Sequence, residues 1–141
     1  MTNREGLDMS DQSMDLYLQQ GMHGIRETKP DERRLFLGSL RERVIIALTK
    51  GQVLRPKAYD EVIAAIESHS DATLLLNGEI DYSRFSAYIK TANKQGVPFS
   101  IVSDQQSDTP LGLILAAKSA VEKASIYVQD DIFERSILKK G

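Results

Sequence analysis

Six residues carry the groups with which this chain could hold a small polar or anionic molecule: Arg41, Arg43, Lys50, Asn77, Gly78 and Ser103. A guanidinium fork meets a carboxylate or phosphate with two parallel hydrogen bonds, and a lysine adds a mobile point charge. The Asn77 amide and the Ser103 hydroxyl supply directional hydrogen bonds. Gly78 lets a backbone come close. A sheet would gather most of them. Thr49-Lys50, Asn77-Gly78 and Ser103-Asp104 each close an apolar run, and ligands of open α/β sheets sit at the carboxyl ends of the parallel strands. The same residue types also serve as ordinary turn and capping groups. Asp31, Glu32 and Glu42 stand close enough in sequence to pair with Arg33, Arg34, Arg41 and Arg43, which describes a solvated, internally paired face.

Other chemistry has thinner support. The two histidines, His23 and His69, share no metal-ligand spacing, and cysteine is absent, so disulfides, thiolate catalysis and thiolate metal sites are excluded. No metal and no cofactor is expected. Acids such as Glu79, Asp81, Asp104 and Glu134 are plentiful but unpatterned, and Asp130-Asp131 reads as the cap of a closing helix. No phosphate loop, dinucleotide fingerprint, nucleophile elbow or zinc-protease signature occurs.

Composition narrows the class. At 141 residues, with 41% hydrophobic and 27% charged side chains, the chain suits one soluble domain with a real core. A net charge of −2 works against nucleic acid as a partner, and the 6% aromatic content leaves few platforms for stacked bases. No apolar run is long enough to span a bilayer and no signal pattern opens the chain. The expected setting is cytoplasmic, with no membrane contact.

The elements that would position the six residues follow from periodicity. Residues 1–13 are polar and acidic and read as a flexible tail, with a single domain over 14–141. Met14, Tyr17 and Leu18 fall on one face of a short helix that must dock on the domain or on a partner subunit. A helix is expected over Pro30–Phe36, ended by Gly38. Val44-Ile45-Ile46 predicts a strand over 44–53 with Gly51 as its bulge, although Leu37, Leu40, Val44 and Leu48 also fit a helical stripe. A helix over Pro56–Ser68 carries Tyr59, Val62, Ile63 and Ile66 on its inner face. Leu74–Leu76 reads as a central strand. A helix capped by Asp81 ends at Gly96, and Phe99–Val102 makes the next strand. A strand–helix–strand unit of this kind lays its two strands parallel. Leu111–Ala117 reads as a fourth strand, with a helix as the rival; Ile126–Val128 reads as a second short strand pairing near it, and the tail from Asp130 as a helix carrying Ile132, Phe133 and Ile137.

The segments Asp15–Gly21, Lys29–Arg33, Phe36–Thr49 and Leu74–Gly78 together resemble the YueI-like family, small uncharacterised proteins of low-GC Gram-positive bacteria. The likeness runs from about Asp15 to Val128. It implies an α/β (α+β) single domain in which β-α-β-α-β-β forms a mixed sheet similar to the Bacillus chorismate mutase fold, the last strand antiparallel. It transfers no catalytic residue, and fold alone does not carry activity. Gly96-Val-Pro98, the strand after it and Leu111-Gly112 are also similar to the second half of kink-turn RNA-binding ribosomal proteins. That likeness is short, and the basic glycine-rich helix start of such domains is missing.

The sequence thus points first to a non-enzymatic small-molecule-binding or regulatory domain, expected to be a homo-oligomer with a small anionic ligand. An enzyme acting on a small anionic metabolite is the alternative. Structured-RNA binding through Arg33, Arg34, Arg41, Arg43 and Lys50 ranks last, because acids interleave the basic residues.

Overall fold

The computed structural model describes residues 29–103 and 109–138. The expected tail at 1–13, the helix at 14–20, His23 and most of the polar loop after Ser103 lie outside the described residues.

Four strands form one sheet: β1 (Val44–Thr49), β2 (Thr73–Asn77), β3 (Phe99–Val102) and β4 (Leu111–Ala116), in the spatial order β1-β4-β2-β3. β2 and β3 are parallel neighbours, with Leu74 beside Phe99 and Leu76 beside Ile101. β4 runs antiparallel to both β1 and β2. The sheet is therefore mixed, with the last strand inserted at its centre. All six residues of β4 are buried, as a continuous apolar run covered on both faces demands.

Helices cover the two faces. On one side, α3 (Asp60–Ser68) and α4 (Ser86–Gln95) press Val62, Ile66, Tyr88, Ile89 and Ala92 against Leu48, Leu74, Leu76, Leu113 and Leu115. On the other, α1 (Lys29–Leu35) and α5 (Asp131–Leu138) bring Leu35 and Phe133 against Val44, Ala47 and Ile114. Each Val, Leu, Ile or Phe among them, taken fully out of water, stabilises the fold by about 1.5–3 kcal/mol before entropy is counted. Gly96 closes α4 at φ +74°, donating its N–H to the Ala92 and Asn93 carbonyls, a left-handed cap that suits glycine.

Several expected boundaries move. β1 stops at Thr49, and residues 50–53 turn into a one-turn helix, α2 (Lys50–Val53). A reciprocal capping box drives that turn: Thr49 Oγ1 accepts from the Gln52 N–H at 3.1 Å while Gln52 Oε1 accepts from the Thr49 N–H at 2.9 Å. Gly51 is consequently in a helical turn and is no bulge. The ladder irregularities fall elsewhere. Ile45 is skipped between the pairs Val44–Ala116 and Ile46–Leu115, and Gly112 between Leu48–Leu113 and Thr49–Leu111. The helix expected from Pro56 begins only at Asp60, because Arg55 ties down the connection by donating to the Lys57 and Ala58 carbonyls at 2.8 and 3.1 Å. Asp81 makes no side-chain cap; it accepts from the Ser83 hydroxyl and precedes a 3-10 turn (Tyr82–Phe85) that leads into α4. The Ile126–Val128 segment joins β1 and not β4, through a single parallel bridge from Tyr127 to Ala47.

Candidate functional site

The sheet separates the six sequence-derived residues. Lys50, Asn77, Gly78 and Ser103 follow or end β1, β2 and β3 at their carboxyl ends, whereas Arg41 and Arg43 precede β1 in a 3-10 turn (Arg41–Arg43) at the opposite end. Within the first group, Lys50 Nζ donates to Glu79 at 2.7 Å. Asn77 is buried; its amide donates to the Leu111 carbonyl at 2.9 Å, and its Oδ1 accepts from the Glu79 N–H at 2.8 Å. Gly78 donates its N–H to the Val102 carbonyl at 2.8 Å, and a Cβ on it would stand 2.6 Å from Ser103 Oγ. These contacts tie β2 to its neighbours. Arg41 reaches the carbonyls of Lys123 and Ala124 at 3.0 and 3.4 Å, and Arg34 pairs with Asp31. The basic cluster is thus met in part by the interleaved acids and by backbone carbonyls.

A different place is built as a cavity. A cleft of about 670 Å³ lies between α3 and the extended segment 123–130, with Ile45 and Ile46 of β1 at its floor. Its apolar wall comes from Ala64 and Ala65 on α3 and from Tyr127 and Val128 opposite. Small residues on α3 leave the room. Polar groups ring it: Arg55 and Glu61 towards the start of α3, Ser68 and His69 towards its end, Lys123 and Ser125 on the far wall. His69 Nδ1 lies 2.8 Å from the Ala65 carbonyl. This contact satisfies a carbonyl near the helix end.

One end of the cleft is closed by a partly buried hydrogen-bond network centred on Asp130. Its Oδ2 accepts from the Tyr59 hydroxyl at 2.6 Å. Its Oδ1 accepts from Gln52 Nε2 at 3.1 Å and from the Phe133 N–H at 2.9 Å, the latter making Asp130 the cap of α5. Gln52 Nε2 also donates to the Val128 carbonyl at 2.7 Å, and Gln52 is fully buried. The Arg55 guanidinium lies 3.6 Å above the Tyr59 ring, a cation–π arrangement. The Tyr88 hydroxyl accepts from the Tyr59 N–H at 2.8 Å. α2 and the 55–59 connection that follows it are pinned here to the start of α5, more than seventy residues further along the chain.

The electrostatics follow from that geometry. Burial, then the hydrogen bond and negative charge of Asp130, push the Tyr59 phenol up to about 12. Burial likewise raises Tyr88. Burial alone would raise Asp130, but the hydrogen bonds from Tyr59, the Phe133 N–H and Gln52, with the charge of Arg55, outweigh it and hold the carboxyl below its ordinary value. A phenol raised in the folded state contributes stability that is fully present below its unfolded value of 10 and is lost as pH rises through about 12. Urea midpoints measured from about pH 9 to about pH 11 are therefore expected to fall in the native protein and to fall less in Y59F. Equal slopes for the two proteins would contradict the assignment.

Sequence reasoning found Asp130 as a cap but missed Gln52 and Tyr59 as its partners. The Thr49-x-x-Gln52 pattern was the readable signal for the first. Nothing local announces the second. Among the described residues no group of three or more His, Asp or Glu is placed to hold a metal ion, and no helix is long and apolar enough to cross a membrane.

Comparison with known proteins adds kinship. A family model described as "Protein of unknown function (DUF1694)" matches residues 11–127. The uncharacterized protein YueI of Bacillus subtilis (strain 168) is 60% identical over 131 residues, spanning 93% of this chain and 99% of its own. The crystal structure of the YueI protein from Bacillus subtilis superposes with a TM-score of 0.79 and 60% identity, covering 89% of this chain and 98% of that one.

Proposed function

Proceeding from the fact that the chain belongs to the DUF1694 family of proteins of unknown function, we propose that it is a non-enzymatic small-molecule-binding domain whose site is the cleft between α3 and segment 123–130. The observation that carries the reading is the cleft itself. Its volume of about 670 Å³ lies within the range of small-molecule sites, about 300–1,000 Å³. An apolar floor with polar groups at the rim is the usual make-up of such a site.

The charges favour an anionic group on the ligand. Asp130 is committed to three donors inside the protein. Arg55 and Lys123 then face one further carboxylate, Glu61, around the opening. A carboxylate or phosphate held by Arg55 and Lys123, with an apolar body lying on Ile45 and Ile46, fits this distribution.

The direction of the pKa shifts supports binding over catalysis. A general acid or base works best with a value near the working pH. Here the phenol moves up and the carboxyl moves down, both away from neutrality. Such shifts mark a structural network that holds one protonation state.

The test is a thermal-shift panel of phosphomonoesters, nucleotides and small dicarboxylates. A binder at 100 times its dissociation constant adds about 2.7 kcal/mol of stability. K123A is expected to weaken any such binder about tenfold without changing the apo protein's stability, since an exposed charge contributes little to folding. R55A should weaken it similarly, with an added loss from the Tyr59 stack. Silence across the panel, or a binder indifferent to both substitutions, would remove the proposal.

A further inference from the structure

One wall of the cleft is built unlike the rest. Residues 118–125 are eight consecutive exposed positions, Val121 among them at 41% exposure. They contribute Lys123 and Ser125 to the cleft, whose lining also includes Ser68 and His69. Both ends of this strap are fixed. Ala117 donates its N–H to the Arg43 carbonyl at 2.8 Å, next to the end of β4. Ile126 accepts from the Ala47 N–H at 2.9 Å and is buried.

Between those ends the strap is held by the turn before β1. The Val121 and Glu122 N–H groups both donate to the Glu42 carbonyl, at 2.7 and 2.8 Å. The Arg41 guanidinium donates to the Lys123 and Ala124 carbonyls from an exposed position. Glu122 sits at φ +47°, the left-handed region that a non-glycine residue enters only under constraint. The strap therefore combines little buried apolar surface, hydrogen bonds that water can replace and one residue in an unfavoured conformation. Segments of that description open locally, well before the fold does.

We propose that residues 118–125 gate the cleft, swinging about Ala117 and Ile126, and that Arg41 is the positioning residue that latches the gate closed. The inference rests on the cleft being the ligand site, but its test needs no ligand. Arg41 is suited to the task because its fork can hold two successive carbonyls at once. Its own backbone is set independently, by the N–H it gives to Glu32 Oε2 at 2.6 Å, and this bond survives truncation of the side chain.

Two readouts on the full-length protein decide it. Limited trypsin cleavage after Lys123 reports strap opening, and diethyl pyrocarbonate modification of His69, separated from His23 by peptide mass mapping, reports access to the cleft. In R41A both rates are expected to rise at least tenfold while the urea midpoint stays at the native value. R43A, which alters an exposed neighbouring cation and leaves its carbonyl in place, is expected to match the native protein in both. Unchanged cleavage in R41A would overturn the latch. Faster cleavage with unchanged His69 reactivity would overturn the gate. An equal rise in R43A, or a rise matched by a fall in the urea midpoint, would also overturn the proposal by assigning the effect to charge or to global unfolding. None of these outcomes touches the thermal-shift result, so failure of the gate and failure of the ligand site are separable.

Discussion

D130A is expected to lower the stability of the fold by about 3 kcal/mol, read as a urea midpoint shift at unchanged slope. Three losses combine. α5 loses its cap, the Phe133 N–H to Asp130 Oδ1 bond of 2.9 Å, which is typically worth about 1 kcal/mol. The Tyr59 hydroxyl, 2.6 Å from Oδ2, is left without its acceptor beside a ring that is 2% exposed. Gln52 Nε2 keeps only the Val128 carbonyl as an acceptor, in a side chain buried at 0% exposure. A buried donor left without a partner costs about 1–3 kcal/mol. The three do not add fully, because residues in one network are coupled. D130N separates shape from charge. Asparagine is itself a good cap, so D130N should lose about 1 kcal/mol. Y59F in a D130A background should cost less than in the native one.

The same carboxylate fixes the acid side of the stability profile. Its folded value lies below its unfolded value of 3.8. The contribution is then fully present above the unfolded value and disappears as pH falls through the folded one. In D130N that part of the acid slope should be missing. A D130N protein with the native slope below about pH 4 would show that other carboxylates carry it.

Much of this fold is legible in local pattern. Leu74–Leu76 and Phe99–Val102 are apolar runs bounded by turn residues, and they do pair in parallel. Gly96 marks a helix end because only glycine takes that φ cheaply. The errors are equally physical. Val44–Val53 looks like one long strand because Val53 prolongs the apolar pattern, yet Thr49 and Gln52 exchange two backbone-satisfying bonds that turn the chain. Pro56 looks like a helix start, but Arg55 uses its guanidinium on the carbonyls of Lys57 and Ala58 and delays the helix to Asp60. The cleft was the least legible part. Its walls are α3 and a segment some sixty residues later, which joins β1 through one isolated bridge. A single bridge has no periodicity to read, so neither Tyr59 nor Lys123 carries a local mark of the site.

G112V is expected to be the most damaging single substitution in the sheet. Gly112 is the residue skipped where β4 passes Leu48 and Thr49 of β1. A bulge there lets Leu111 join the cluster under α1 and α5 while Leu113 joins the one under α3 and α4, although strict alternation would put both on one face. The close approach of α2 requires that position to be bare. A Cβ would stand 2.9 Å from Val53 Cγ2, 2.9 Å from Ile80 Cδ1 and 3.1 Å from Lys50 Cα. The two methyl ends can turn aside; the Lys50 backbone cannot, because Thr49 and Gln52 lock it in the capping box and Lys50 gives its N–H to the Pro110 carbonyl at 2.8 Å. Alanine should therefore cost about 1–3 kcal/mol by overpacking, and valine, with two further methyls on a central strand, more than about 3 kcal/mol. G112V is expected to lose most of its soluble yield, with G112A folded but shifted in urea. The conservative swap I114V, two residues away and buried on the α1–α5 face, should cost only about 0.5–1.5 kcal/mol. If G112V and I114V proved equally mild, α2 would have to be free to move off the sheet, and the capping box at Thr49 would not be the rigid corner from which the Asp130 network is hung.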